Sequence, residues 1–262
     1  MKPKKKFAAC IERAEHFLML YELLCNTRRK DTYSNWQFSR PNHWKTGDGF
    51  VRIDGKNKDS ILIIRGTLGI TREKFCHDNL SGLLAAAVVF AVSALDRYVH
   101  DQIVENSWKL LNRAERDIPK DLSRLRVPLL ATKKAVERLK RASNSRPGFI
   151  VKQEIQEVLH REYTFQKSNP LKSAGDILGI KDFWGSLAEA HSDKLSKSDL
   201  IAKLDAIAER RNQIVHEADT VLTIKDSQIQ THDITKVIAK DYIDFIEKTV
   251  SALDKVIENQ CV

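Results

Sequence analysis

The sequence predicts an all-α protein, a helical bundle with a small irregular or β-hairpin insertion near the N-terminus. Three observations lead there. Apolar residues recur at helical spacing over most of the chain outside 26–70. Leu80 to Leu95, reading LSGLLAAAVVFAVSAL, is an uncharged, Ala-rich run suited to the centre of a bundle. Asp54-Gly55 between the apolar runs Phe50–Ile53 and Ile61–Ile64 is a hairpin signal.

Taken in order, Phe7, Ile11, Ala14, Phe17, Leu18, Tyr21 and Leu24 share one face of a helix over 5–25. Residues 26–70 lose the 3.6-residue period and gather Pro41, Gly47, Gly49, Gly55 and Gly66, the composition of an insertion. A long helix follows from about 78 to 112, capped by Asp78 or Ser81. Its apolar first half gives way to Asp96-Arg97-Tyr98-Val99-His100-Asp101. Helices are expected over 129–143 and 150–166, separated by Ser145-Arg146-Pro147-Gly148. A short helix is anchored by Phe183 and Trp184. Another starts at Ser198 or Asp199 and runs to about 218. Val221–Ile224 and Gln228–Gln230 form a small hairpin before a last helix from near Asp233. On this reading residues 1–77 are a helix plus insertion packed on the main domain, and 78–262 are the bundle.

Composition sets the outer limits. With 42% apolar and 30% charged residues the chain is neither disordered nor low-complexity. Four cysteines at 10, 25, 76 and 261 have no close pairing, which points to free thiols in a reducing, cytoplasmic setting. Cys76-His77-Asp78 has no second ligand cluster, so no metal is expected. The Lys2–Lys6 start is interrupted by Glu12, Arg13 and Glu15, unlike a signal peptide. The uncharged run is 16 residues long, whereas a membrane span needs about 20, so no membrane is expected. The net charge of +9 is uneven: residues 1–150 hold +13 and the remainder −4. Such a surplus suits a polyanion partner, or else a set of solvated helix faces.

The informative helix reads SDLIAKLDAIAERRNQIVHEAD over 198–219. Leu200, Leu204, Ile207, Ile214 and Ala218 form an apolar stripe only if position 211 is counted, and position 211 is Arg. A guanidinium there needs an anion or a fork of acceptors. It can pair with Asp96 or Asp205, or stand ready for a ligand. A second stripe is polar: Asp205, Glu209, Asn212 and His216.

Arg211-Asn212-Gln213-Ile214-Val215-His216 resembles the R-x4-6-H motif of the HEPN superfamily of helical RNases and nucleotide-binding modules. The polar residue after the Arg, here Asn212, is typical of it. Glu217-Ala218-Asp219, the last amphipathic helix and the Asp96–Asp101 segment are also similar, nearest to the RiboL-PSP-type HEPN proteins. The likeness covers about 78–258. Arg72 and His77 repeat the spacing by chance, without a polar stripe. HEPN partners of MNT antitoxins often carry a Tyr two residues after the His, where this chain has Ala218.

The resemblance implies a metal-independent endoribonuclease without cofactor, acting as a homodimer with a composite cleft, in toxin–antitoxin or antiphage defence with an antitoxin or defence partner. It assigns acid/base work to His216, phosphate binding to Arg211 and orientation to Asn212. Asp96 and His100, one turn apart, are possible accessory residues from the central helix. A noncatalytic nucleotide- or RNA-binding module is the alternative. Residues 109–146 hold 12 Lys/Arg against four acids, with Lys133, Lys134, Arg138 and Arg141 at helical spacing. These four are the candidate RNA-binding residues, or a solvated face.

Overall fold

A computed structural model of the chain describes residues 2–25, 28–32, 50–54, 61–65, 72–126, 132–133, 136–137, 147–216, 220–221, 230–231 and 233–260. The architecture is all-α, a helical bundle with a small β insertion. In chain order the elements are α1 (Pro3–Cys25), β1 (Arg28–Thr32), β2 (Phe50–Asp54), β3 (Ile61–Arg65), α2 (His77–Leu111), α3 (Lys120–Ser123), α4 (Pro147–Glu162), α5 (Ser168–Leu178), α6 (Phe183–Ala190), α7 (Lys197–His216), β4 (Thr220–Val221), β5 (Gln230–Thr231) and α8 (Lys236–Gln260).

The uncharged run lies in α2, 35 residues long, which forms the axis of the bundle. By length, and by an 18-residue stretch within it of mean hydropathy 1.7, it would suffice to cross a bilayer. Here α1, α4, α5, α7 and α8 pack around it instead. Its small side chains explain the close packing: Ala87, Val88 and Ala91 are 0% exposed. Helix α1 runs antiparallel along α2, with Phe7 edge-on to Tyr98, Phe17 against Phe90 and Tyr21 against His77. Helix α8 runs parallel to α2, since His77 meets Asp233 at one end and Tyr98 meets Asp254 further along. Lys236–Glu22 and Lys4–Asp254 join α8 to α1 at both ends.

Several boundaries follow local chemistry that pattern alone missed. No side chain caps α2; Cys76 is its N-cap residue, and Asp78 and Ser81 lie inside the first turns. Helix α7 begins one residue before Ser198. The Ser196 hydroxyl accepts from the Asp199 N–H at 3.1 Å and donates to its carboxylate at 2.7 Å, a reciprocal cap. Helix α4 takes Pro147 into its first turn, where a missing N–H costs nothing. It stops at Glu162, and α5, unforeseen in the sequence, starts at Ser168. Gly179, at φ +73°, ends α5 with Ile180 N–H bonded to Gly175 O at 2.9 Å.

The insertion contains the expected hairpin: Asp54 pairs with Ile61 and Phe50 with Arg65. A third strand joins it, Arg28 opposite Asp54, giving the antiparallel order β1-β2-β3. The later hairpin pairs Thr220 with Thr231 and Val221 with Gln230, slightly earlier on its first strand than the pattern suggests. In the expected 129–143 helix, 132–133 and 136–137 are helical; the rest lies outside the described residues.

Candidate functional site

Helix α7 is fixed to the bundle by its apolar stripe: Leu200, Leu204, Ile207 and Ala208 are buried, and Ile214 packs against the core. Arg211 continues that stripe half-buried. Its Nη1 donates to Asn212 Oδ1 at 3.2 Å, while its Nε is enclosed with no hydrogen-bond partner. Among the described residues no carboxylate pairs with it. The two acids that the sequence offered are spent elsewhere. Asp96 accepts from the Phe165 N–H at 2.5 Å and from Gln166 Nε2 at 3.4 Å. Asp205 accepts from the Ser168 N–H at 2.8 Å and its hydroxyl at 2.7 Å.

The polar stripe of α7 therefore divides. Asp205 holds the first turn of α5, and Glu209 pairs with Lys167 at 3.0 Å just before it. Asn212 faces Arg211. His216 is the last residue of α7, exposed, with no partner among the described residues. The upper half of the stripe builds the fold; the lower half carries an under-satisfied guanidinium, an amide and an accessible imidazole. That set can grip an oxyanion and move a proton.

Asp96 and His100 are brought together, but at a junction inside the bundle. His100 is 4% exposed. Its Nδ1 faces the Asp96 carbonyl at 2.8 Å and its Nε2 the Leu159 carbonyl at 3.3 Å. His160 and Phe165 lie against its ring. The pair ties α2 to the connection between α4 and α5. Of the candidate RNA-binding residues Lys133 is exposed, and Lys134, Arg138 and Arg141 lie outside the described residues. Glu217, Ala218 and Asp219 lie outside them as well.

Two polar assemblies escaped the sequence reading because their members are far apart in the chain. Tyr21 O–H donates to His77 Nδ1 at 2.7 Å, and His77 Nε2–H donates to Asp233 at 3.2 Å, in the neutral tautomer that the carboxylate selects. Burial pushes the Tyr21 hydroxyl well above its ordinary value. This chain absorbs His77, the chance match to the motif. Cys76 instead accepts from Asn79 at 3.3 Å. Further along, Tyr98 O–H and Gln102 Nε2 both donate to Asp254, whose other oxygen takes Lys4 at 2.9 Å. Burial, then the bond to Asp254, raises the Tyr98 hydroxyl. Among the described residues no group of three His, Cys, Asp or Glu side chains is placed to hold a metal ion.

The direction of α7 locates His216. Lys203 pairs with Asp241 at 2.9 Å, and Asp193, before α7, pairs with Lys248 at 2.8 Å, so α7 runs antiparallel to α8. His216 thus lies toward the pole formed by the start of α8, the start of α2 and the end of α1. That pole exposes apolar side chains: Met19, Leu20 and Leu23 on α1, Val215 on α7, Val237 and Ile238 on α8.

Comparison with curated proteins gives no match, and neither does comparison with solved structures. The sequence model of the RiboL-PSP-HEPN family matches residues 69–259, a span that begins just before α2 and includes Arg211, Asn212 and His216. With α2 to α8 inside that match but for the last residue of α8, and α1 outside it, the chain belongs to the RiboL-PSP-HEPN family.

Proposed function

We propose that the protein is a metal-independent endoribonuclease whose cleft forms between two copies. Family membership supports a HEPN-type nuclease or RNA-binding role in general. The observation that carries the finer reading is Arg211, held half-buried in an apolar stripe with Nε unbonded, five residues along α7 from an exposed His216 that has no partner among the described residues.

RNA supplies its own nucleophile. A base takes the 2′-OH proton, the 2′-oxygen attacks the adjacent phosphorus, and the P–O5′ bond breaks as the leaving oxygen takes a proton. The products are a 2′,3′-cyclic phosphate and a 5′-hydroxyl. His216 is suited to one proton transfer and the His216 of a second copy to the other. Arg211 matches the charge that builds on the phosphoryl oxygens, and Asn212 fixes the Arg211 fork. The homodimer is supported by the apolar side chains around His216. Lys236–Glu22 and Lys240–Glu15 alternate in sign beside them, a pattern that a two-fold copy can complement. A role in toxin–antitoxin or antiphage defence, with an antitoxin or defence partner, fits a cytoplasmic RNase of this family.

The test is cleavage of single-stranded and structured RNA in EDTA by wild type, Arg211→Ala and His216→Ala. Wild-type turnover giving cyclic-phosphate ends, lost in both variants, is expected. RNA binding that survives both substitutions with no turnover by wild type would favour a noncatalytic RNA- or nucleotide-binding module.

A further inference from the structure

Part of the positive charge of the first 150 residues lies at the pole away from His216. Lys2, Lys4, Lys5 and Lys6 carry four charges with no acid among them. They begin α1. Residues 109–126 carry six cations against three acids and follow the last turn of α2. Antiparallel packing of α1 on α2 brings these distant segments to one end, beside the C-terminus of α8. Two concavities mark it. One of about 560 Å³ is edged by Lys2, Lys4 and Lys109 and by Glu105, Asp254 and Glu258, over Gln102 and Asn106. The other, about 850 Å³, is edged by Arg113, Arg116 and Lys181 beside Gly179 and Gln260.

Two of the acids there are already engaged, while Glu258 stays open beside Lys4. Asp254 takes Lys4, Tyr98 and Gln102, and Glu105 pairs with Lys152 at 3.2 Å. Lys5, Lys109 and Lys181 are exposed with no acid partner among the described residues. Arg116 is 88% exposed, with only a 3.8 Å contact to Asp117. Lys109 and Lys181, without an acid partner among the described residues, stand at open concavities with no aromatic ring at their edges, which suits a chain of phosphates better than a base or an apolar surface.

We infer that this pole is an anchoring site for the phosphate backbone of an extended RNA, separate from the α7 cleft. The choice of RNA among polyanions rests on the proposed function. The distance sets the length of ligand. At 1.5 Å per residue, Asp241 to Gln260 along α8 rises about 28 Å. Lys203 to His216 along α7 rises about 20 Å in the opposite direction. The basic pole and His216 are therefore on the order of 50 Å apart, about one and a half times the ~34 Å of one duplex turn. A mononucleotide cannot reach both; an RNA of several tens of ångströms can.

The experiment compares wild type with the triple variant Lys109→Gln, Arg116→Gln, Lys181→Gln, all at exposed positions. RNAs of about 8 and about 40 nucleotides are measured by fluorescence anisotropy across a salt series, and by cleavage. Expected is a loss of affinity of about tenfold or more for the long RNA, with the salt slope reduced by about 2, and no change for the short one. Cleavage of the short RNA is expected at the wild-type rate. Unchanged affinity and slope on the long RNA would overturn the anchor, whatever the cleavage result. A reduced slope with no cleavage by wild type would keep the anchor and remove the ribonuclease reading. Wild-type binding to anionic phosphatidylserine vesicles but not to RNA would overturn the choice of ligand.

Discussion

Arg211 should be a liability to the fold, and removing it should make the protein more stable. It occupies the place in the α7 stripe that Leu200, Leu204 and Ile207 occupy earlier, yet its Nε is enclosed without an acceptor. An enclosed polar atom left without a partner costs about 1–3 kcal/mol. Methionine at 211 has similar length, no such atom, and contributes apolar contact in its place. Arg211→Met should therefore stabilise the chain by about 1–3 kcal/mol. For a domain of this size 1 kcal/mol moves Tm by about 2–4 °C, so a rise of roughly 2–12 °C is expected. The assay is thermal unfolding of wild type and variant at one low protein concentration, so that association does not enter. RNA cleavage is measured separately, at a higher protein concentration at which wild type cleaves, and should be abolished by the substitution. A fall in Tm of a few degrees would refute the reasoning, because the guanidinium would then have a partner within the folded chain.

Other expectations follow the same bonds. His216→Ala should leave stability within about 0.5 kcal/mol by denaturant melts, since the side chain is exposed and has no partner among the described residues, while cleavage is lost. Asp205→Ala should cost about 1–3 kcal/mol in the same melts, because it strips two bonds from the first turn of α5. Gly175→Ala should cost about 1–3 kcal/mol, since a methyl there collides with the Phe183 ring. His191 is buried with Nδ1 accepting from the Asp193 N–H, and burial lowers its pKa from 6.5. The unfolded chain therefore takes up this proton at a higher pH than the folded one does. Its contribution to stability should be lost as pH falls below about 6.5 towards the lowered folded value. His191→Gln should flatten that part of a Tm–pH profile; an unchanged slope would count against it.

Much of this arrangement was legible in the sequence, and the limits have physical causes. The long α2, the α7 stripe broken by Arg211, the α8 period and the β2–β3 hairpin are local patterns, readable within a window of a few turns. Helix α5 was missed because what ends α4 and starts α5 comes from elsewhere: Asp96 holds Phe165 in an extended connection and Asp205 caps Ser168. For the same reason the stripe Asp205-Glu209-Asn212-His216 reads as one surface, although its first two acids face α5 and its neighbours. The Arg211–His216 pair was visible because motif and amphipathic pattern coincide on one helix. The basic pole was not, because Lys2–Lys6 and 109–126 meet only once α1 folds back along α2.

That fold-back has a consequence for tolerance to added sequence. Helices α1 and α2 pack along much of their length, yet the whole β insertion separates them in the chain. The entropy of closing such a loop grows only with the logarithm of its length, so doubling it costs about 0.6 kcal/mol. The segment between Cys25 and His77 is thus a place where the protein can accept a grafted reporter or an entire extra domain with little thermodynamic penalty. A chain started at residue 69, where the family match begins, would lack α1 and leave one flank of α2 facing water. Such a shortened protein would be expected to precipitate rather than fold.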